Sequence, residues 1–327
     1  MIKRTLYFGN PAYLSLRDAQ LVIRLPEVER NGTLSEQFKK EAIATVPIED
    51  IGIIILDHQQ ITITQAIIDA LLENNAALIT CNKKHLPTGL LLNLDGNTLQ
   101  SERFRKQTDA SLPLKKQLWQ QTVESKIYNQ KKVLKKHELE YSLLETLGKR
   151  VRSGDEDNCE ATAAAYYWKK LSPKLLLTES DELSIEENTN YTENFIRYRE
   201  GDGANILLNY GYAILRAIVA RNLVGSGLLP TFGIHHRNKY NAYCLADDVM
   251  EPYRPYVDAL VIELVSEFEN IEELTTELKK RLLQIPVMDV IMDGEKSPLM
   301  IAVQRTTASL AKCFEGKEKK IVYPKFI

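Results

Sequence analysis

Apolar positions in the first ninety residues come in short runs. Segments at 4–8, 13–25, 42–46, 52–56, 61–64 and 77–81 are rich in Ile, Leu, Val, Thr and Tyr and are bounded by Gly, Pro, Asn or Asp, the pattern of short strands closed by turns. Residues 65–73 break it, with Ile67, Ile68, Leu71 and Leu72 on one face of a predicted helix. Past Asp95, Gly96 and Asn97 the apolar period lengthens. Leu114, Leu118, Val123, Ile127, Leu134, Leu139, Leu143, Leu144 and Leu147 recur at helical spacing between Pro113 and Gly148, which predicts one long helix or a broken pair. EATAAAYYWKKL, 160–171, opens on a carboxylate and continues in alanines, the strongest helix formers; Pro173 is expected to close it. Residues 205–224 are apolar on nearly every side, so this helix is predicted to be buried. A loop carrying GIHHRNKYN follows, then a helical segment from about 243 to 264 that Pro252 and Pro255 must kink or restart. The fold class is therefore α+β: a small β-rich amino-terminal domain, residues 1–97, and a larger all-α domain, residues 98–327.

A chain of 327 residues with 44% hydrophobic and 26% charged residues can bury a core without staples. Cys81, Cys159, Cys244 and Cys313 lie far apart without CxxC spacing, which argues against a zinc ribbon and a disulfide framework and points to a reducing cytoplasm. The amino terminus lacks the apolar stretch of a signal peptide, and the longest uncharged apolar stretch, 203–215, is too short for a bilayer. No membrane anchor is expected. The formal net charge of −2 hides a segregation. Lysines 115, 116, 126, 131, 132, 135 and 136 stand against Glu124 alone, while 179–193 holds six acidic residues and no basic one. A basic face is thus available to a nearly neutral protein, as either a solvated helix surface or a polyanion contact.

GxGxxG, GxxxxGK[ST], GxSxG and HExxH are all missing, so dinucleotide, P-loop, α/β-hydrolase and zincin chemistry lose their usual support. What remains is GIHHRNKYNAYCLADDVMEPYRP, 233–255. If this stretch is helical after Cys244, Asp248 and Glu251 project from one face. Leu245, Val249 and Met250 beside them imply partial burial, where two like charges need a cation, a paired base or protonation. A divalent cation is one relief, with His236 as a candidate further ligand; carboxylates with one imidazole suit Mg2+ or Mn2+ better than a structural zinc. A polar loop with an Asp-Asp helix cap is the other reading. Glu160 is equally open, because a first-turn glutamate is favoured by the helix dipole without any function.

Together, Glu160 in NCEATAAAYYWKKL, the LNYGYAILRAIV helix, GIHH and DVMEPYRP resemble the CRISPR-associated spacer integrases, the universal adaptation nuclease family that is first-numbered among the CRISPR-associated proteins. The likeness covers nearly the whole chain, strongest over 158–258, and DVMEPYRP looks most like the type II branch. The resemblance implies that a divalent ion, Mg2+ or Mn2+, is held by Glu160, His236 and Glu251, with Asp248 as an accessory carboxylate and His235 structural. It implies joining of the 3′-hydroxyl ends of short DNA fragments to a CRISPR repeat by transesterification. It further implies a homodimer through the β-rich domain, two such dimers, and a bridging dimer of the second CRISPR-associated adaptation protein. Lys131, Lys132, Lys135, Lys136 and Arg254 are then candidate contacts to double-stranded DNA. The competing readings are a stand-alone repair endonuclease on branched DNA, and a non-catalytic helical nucleic-acid scaffold. A non-haem iron oxygenase lacks its HxD/E…H triad here.

Overall fold

The computed structural model describes residues 3–176, 203–268 and 271–326. Its amino-terminal part holds two sheets. Strands β1 (Arg4–Phe8), β2 (Ala12–Arg17) and β3 (Gln20–Arg24) lead to helices α1 (Pro26–Arg30) and α2 (Glu36–Glu41); β4 (Ala44–Pro47), β5 (Ile51–Leu56), β6 (Ile61–Ile63), α3 (Gln65–Glu73), β7 (Ala77–Cys81) and β8 (Pro87–Leu91) follow. One sheet has the order β1-β5-β7-β8, with β1, β5 and β7 parallel and β8 antiparallel; the other is β4-β3-β2-β6. The single predicted strand at 13–25 is a hairpin instead, because Asp18 and Ala19 take positive φ and reverse the chain.

Strand β5 explains why the two parts of the chain are packed together. It is buried on both faces, as a central parallel strand must be. Ile53 and Ile55, with Ile79 of β7, join the helical core, while Ile54 and Leu78 pack with Leu14, Leu21, Ile67 and Leu71 in a smaller core. Each such fully buried aliphatic side chain contributes about 1.5–3 kcal/mol. A polar tie lies at the same junction: the Asp57 carboxylate, just past β5, accepts from the Tyr7 hydroxyl at 2.6 Å and the Lys279 ammonium at 2.7 Å, and meets His85 Nδ1 at 2.9 Å.

The helical part comprises α4 (Gln100–Thr108), α5 (Leu112–Lys136), α6 (Ser142–Arg150), α7 (Cys159–Leu175), α8 (Ala204–Gly225), α9 (Cys244–Met250), α10 (Arg254–Glu267), α11 (Thr276–Leu282) and α12 (Leu299–Phe314), with a hairpin of β9 (Asp289–Met292) and β10 (Glu295–Pro298) before α12. Helix α8 is almost wholly buried and packs against α9, α10 and α12. At Gly211 an added Cβ would lie 2.5 Å from Val257 Cγ1, so glycine allows α8 and α10 their close approach. Among the described residues no helix is long and apolar enough to cross a membrane.

The expectation of a purely helical carboxyl-terminal part is corrected by the β9–β10 hairpin, whose turn is formed by Asp293 and Gly294 at positive φ. Pro173 does not close α7, which runs on to Leu175. So near the helix end a proline removes one backbone donor without breaking the remaining turns. The helical run to Gly148 is the broken pair α5 and α6, and Pro255 restarts the chain as α10. The acidic stretch 179–193 lies outside the described residues.

Candidate functional site

Helix α5 supplies the floor of the site. Trp119, Thr122, Lys126 and Asn129 recur every three or four residues and form one buried stripe. Three of the four are polar, and each finds a partner. Thr122 meets the Tyr323 hydroxyl at 2.9 Å, and Asn129 donates to the carbonyls of Pro252, at 2.7 Å, and Pro324, at 3.1 Å. The bond to Pro252 anchors the 3-10 turn Glu251–Tyr253 to α5, and the bond to Pro324 ties the carboxyl-terminal segment to the same residue.

Glu160 stands in the first turn of α7. The helix start is fixed by Asp155, whose two carboxylate oxygens each accept a backbone hydrogen bond at 2.9 Å, from Cys159 N and Glu160 N. Because Asp155 satisfies these donors, the Glu160 side chain is free to turn inward, where it pairs with Lys126. Glu251, at the end of α9, reaches the same ammonium from the other side at 2.6 Å. Its second oxygen meets Arg254 Nε at 2.8 Å, and the guanidinium lies over the Tyr212 ring, 4.7 Å from its centroid. Burial alone would raise the Glu251 carboxyl, but Arg254 and Lys126 outweigh it and hold the group down at about 2. Burial also works against the Lys126 charge, and Glu251 and Glu160 overcome it, so its ammonium is held above the ordinary lysine range.

The loop before α9 brings in the imidazoles. Asp248 is fully buried and accepts from His235 N at 2.9 Å and His236 N at 3.3 Å, and its Oδ1 lies 2.5 Å from His236 Nδ1. That hydrogen bond raises His236 above the usual histidine range, whereas burial and then the neighbouring His236 lower His235. The loop can close this tightly because residue 233 is glycine: a Cβ there would lie 2.5 Å from the His236 carbonyl oxygen and 2.7 Å from Asp248 Oδ2. His235 stacks on Trp119, with ring centroids 4.2 Å apart and planes 7° from parallel. The Asp-Asp pair does not cap α9: Asp247 binds Arg216 and Asn241, and Asp248 binds the loop.

Glu160, His236 and Glu251 thus border one region, with Glu251 and Asp248 deep and His236 half-exposed toward solvent. As arranged, no three carboxylate, imidazole or thiolate groups among the described residues stand close enough together to hold a metal ion. The donor chemistry nevertheless fits a hard divalent cation. Two carboxylates from distant elements already share one cation, the Lys126 ammonium, and His236 keeps Nε2 free while Asp248 takes Nδ1.

Of the basic candidates, Lys131 and Lys132 lie over the Tyr128 ring, Lys131 also 3.7 Å from Glu145; Lys135 is exposed, and Lys136 pairs with Glu263 at 2.8 Å. Arg254 is at the site, engaged with Glu251 and Tyr212. The sequence reading missed Lys126 as an inward residue, as well as Asp155 and Asn129. A cleft of about 500 Å³ opens beside His236, bordered by Lys115, Phe232, Arg237 and Lys239.

The family model described as "CRISPR associated protein Cas1" matches residues 7–284. The chain is 34% identical over 322 residues to "CRISPR-associated endonuclease Cas1" of Neisseria meningitidis serogroup C (strain 8013), covering 98% of this chain and 95% of that protein. In fold it is similar to "Casposase bound to integration product", with a TM-score of 0.73 and 22% identity over 98% of this chain and 93% of that one. It is likewise similar to the "Cas6-RT-Cas1--Cas2 complex", with a TM-score of 0.71 and 18% identity over 98% of this chain and 36% of that one.

Proposed function

The chain belongs to the family of the CRISPR-associated protein Cas1, and from that membership we propose that it is a divalent-metal-dependent integrase of CRISPR adaptation, joining the 3′-hydroxyl ends of short DNA fragments to a CRISPR repeat. With water in place of the hydroxyl, the same site cuts DNA. One observation carries the reading. Glu160 and Glu251 belong to different helical elements, yet both turn inward onto a shared cation, next to an imidazole oriented by a buried carboxylate. Neither Asp248 nor Glu160 is spent on capping its helix, which supports this reading over a non-catalytic helical scaffold.

In this reading Glu160, Glu251 and His236 Nε2 hold Mg2+ or Mn2+. When bound, such an ion would supply Lewis acidity and positive charge at the phosphodiester. The protein's own residues prepare that chemistry. Asp248 fixes the His236 ring and its tautomer, leaving Nε2 available as a ligand atom. Arg254 fixes one Glu251 oxygen while stacked on Tyr212, and Asn129 fixes the turn that follows Glu251. Asp155 sets the direction in which α7 starts and hence where Glu160 points. The cleft beside His236, with Lys115, Arg237 and Lys239 on its border, suits a phosphate backbone entering the site.

Two ends of one fragment require two such sites at a fixed spacing. The proposed assembly is accordingly a homodimer through the β-rich part, two such dimers, and a bridging dimer of a Cas2-type partner. Membership in the family supports it, as does the likeness in fold to a chain in a complex titled with Cas2. The test is a Mn2+-dependent assay on repeat-containing duplex. Joining of 3′-hydroxyl fragments to the repeat supports the reading, and cutting of branched DNA without any joining supports the repair nuclease instead.

A further inference from the structure

The Lys126 ammonium is in contact with both carboxylates that the proposed function assigns to a divalent ion, Glu160 and, at 2.6 Å, Glu251 Oε2. Its side chain is only 10% exposed and enters from the buried stripe of α5, between Trp119 and Asn129. A hard cation makes its bonds through the same carboxylate oxygens at about 2.0–2.6 Å. An ammonium and a divalent ion both at contact distance from one oxygen pair would repel each other in a place with little water to screen them. One must leave when the other arrives.

The second cation at the site is not the one that leaves. Arg254 holds the opposite oxygen of Glu251 and is fixed by the Tyr212 ring beneath its guanidinium. A planar guanidinium in a stacked contact is rigidly placed, whereas an ammonium on a four-carbon stem swings through several rotamers. Glu160 is also 26% exposed, so one end of the carboxylate pair reaches solvent.

We infer that Lys126 is a built-in exchangeable counter-ion: without a divalent ion it draws Glu160 and Glu251 together, and it gives up those oxygens when the ion binds. Two consequences follow. The carboxylates are kept close together before metal arrives, because the lysine cancels their repulsion. Metal affinity is correspondingly lowered, because each ion must displace a charge already in place.

This inference rests on Glu160 and Glu251 being ligands, so the experiment separates the two ideas. Mn2+ binding is measured by calorimetric titration of the full chain, with thermal melting in chelator and in Mn2+, for wild type, E160Q, K126M and K126R. K126M is expected to bind Mn2+ at least ten-fold more tightly than wild type, to melt lower in chelator, and to gain more on Mn2+ addition. K126R, whose forked guanidinium grips both carboxylates, is expected to bind Mn2+ more weakly than wild type. Equal or weaker binding by K126M overturns the exchange. If K126M does not fold, equal or tighter binding by K126R overturns it. If E160Q binds Mn2+ as tightly as wild type, the ligand assignment itself fails, whereas loss in E160Q with no gain in K126M removes only the role of Lys126.

Discussion

Asp248 Oδ1 lies 2.5 Å from His236 Nδ1, which leaves Nε2 of that imidazole available as a ligand atom. A carboxylate behind a histidine fixes its tautomer and ring plane, and removing such a partner costs about 10–100-fold in metal affinity or activity. D248N, which keeps the shape but loses the charge, is therefore expected to retain a fold and lower strand joining by about that factor. H236A should fall to background. Initial rates of joining against Mn2+ concentration separate the two, since D248N should be partly rescued at high Mn2+.

Glu160 and Glu251 have different consequences for folding. Glu251 is buried between two cations, and removing one member of a buried ion pair costs about 3–5 kcal/mol. Glu160 is partly exposed, and among the described residues its side chain pairs with Lys126. E160Q should therefore keep its unfolding midpoint and its affinity for duplex DNA while losing joining, whereas E251Q should lose joining and stability together. Chemical denaturation beside the joining assay reads both.

Lys132 and Lys135 lie on α5 away from the inward stripe, whereas Arg254 is bound to Glu251. K132A and K135A should each weaken duplex binding without sequence preference and reduce the slope of log affinity against log salt by about 1. R254A should act on the joining rate more than on binding. Unchanged salt slopes in both lysine variants would mean that this face is merely solvated.

Asp57 ties β5 to α11 through Lys279, and also binds Tyr7 and His85. Burial works to raise its carboxyl, but the bonds from Lys279, Tyr7 and His85 outweigh that and hold it below the usual value. A lowered folded value means that the group stabilises the fold above its unfolded pKa, about 3.9, and loses that contribution as pH falls through the lowered value. Urea unfolding of D57N should accordingly show a lower midpoint at pH 7 and a flatter acid limb than wild type. K279M, which leaves a buried carboxylate without its cation, should cost about 3 kcal/mol at pH 7.

The legible features were those with a local cause. Helix α3 matches its expected span, residues 65–73, because four apolar side chains at helical spacing fix its type and Asn74 its end. The apolar α8 read as buried because it has no polar face. His236 and Glu251 stood out as candidates from their spacing, but Glu160 joined them only through motif resemblance, since its approach depends on how α5, α7 and α9 pack. Lys126 was grouped with the basic face on charge alone, although it lies seven residues from both Trp119 and Val133, on the buried stripe. Its spacing was a better guide than its charge. The β9–β10 hairpin carried a readable Asp-Gly turn signal that the surrounding helical pattern obscured.

The central claim, that three residues remote in sequence hold one divalent ion, is tested most directly by anomalous scattering from crystals of the protein grown in Mn2+. The expected result is one strong peak bonded to Glu160, Glu251 and His236 Nε2, with Lys126 withdrawn from the pair. A map at saturating Mn2+ with no peak there, and Lys126 still bridging the two carboxylates, would contradict it.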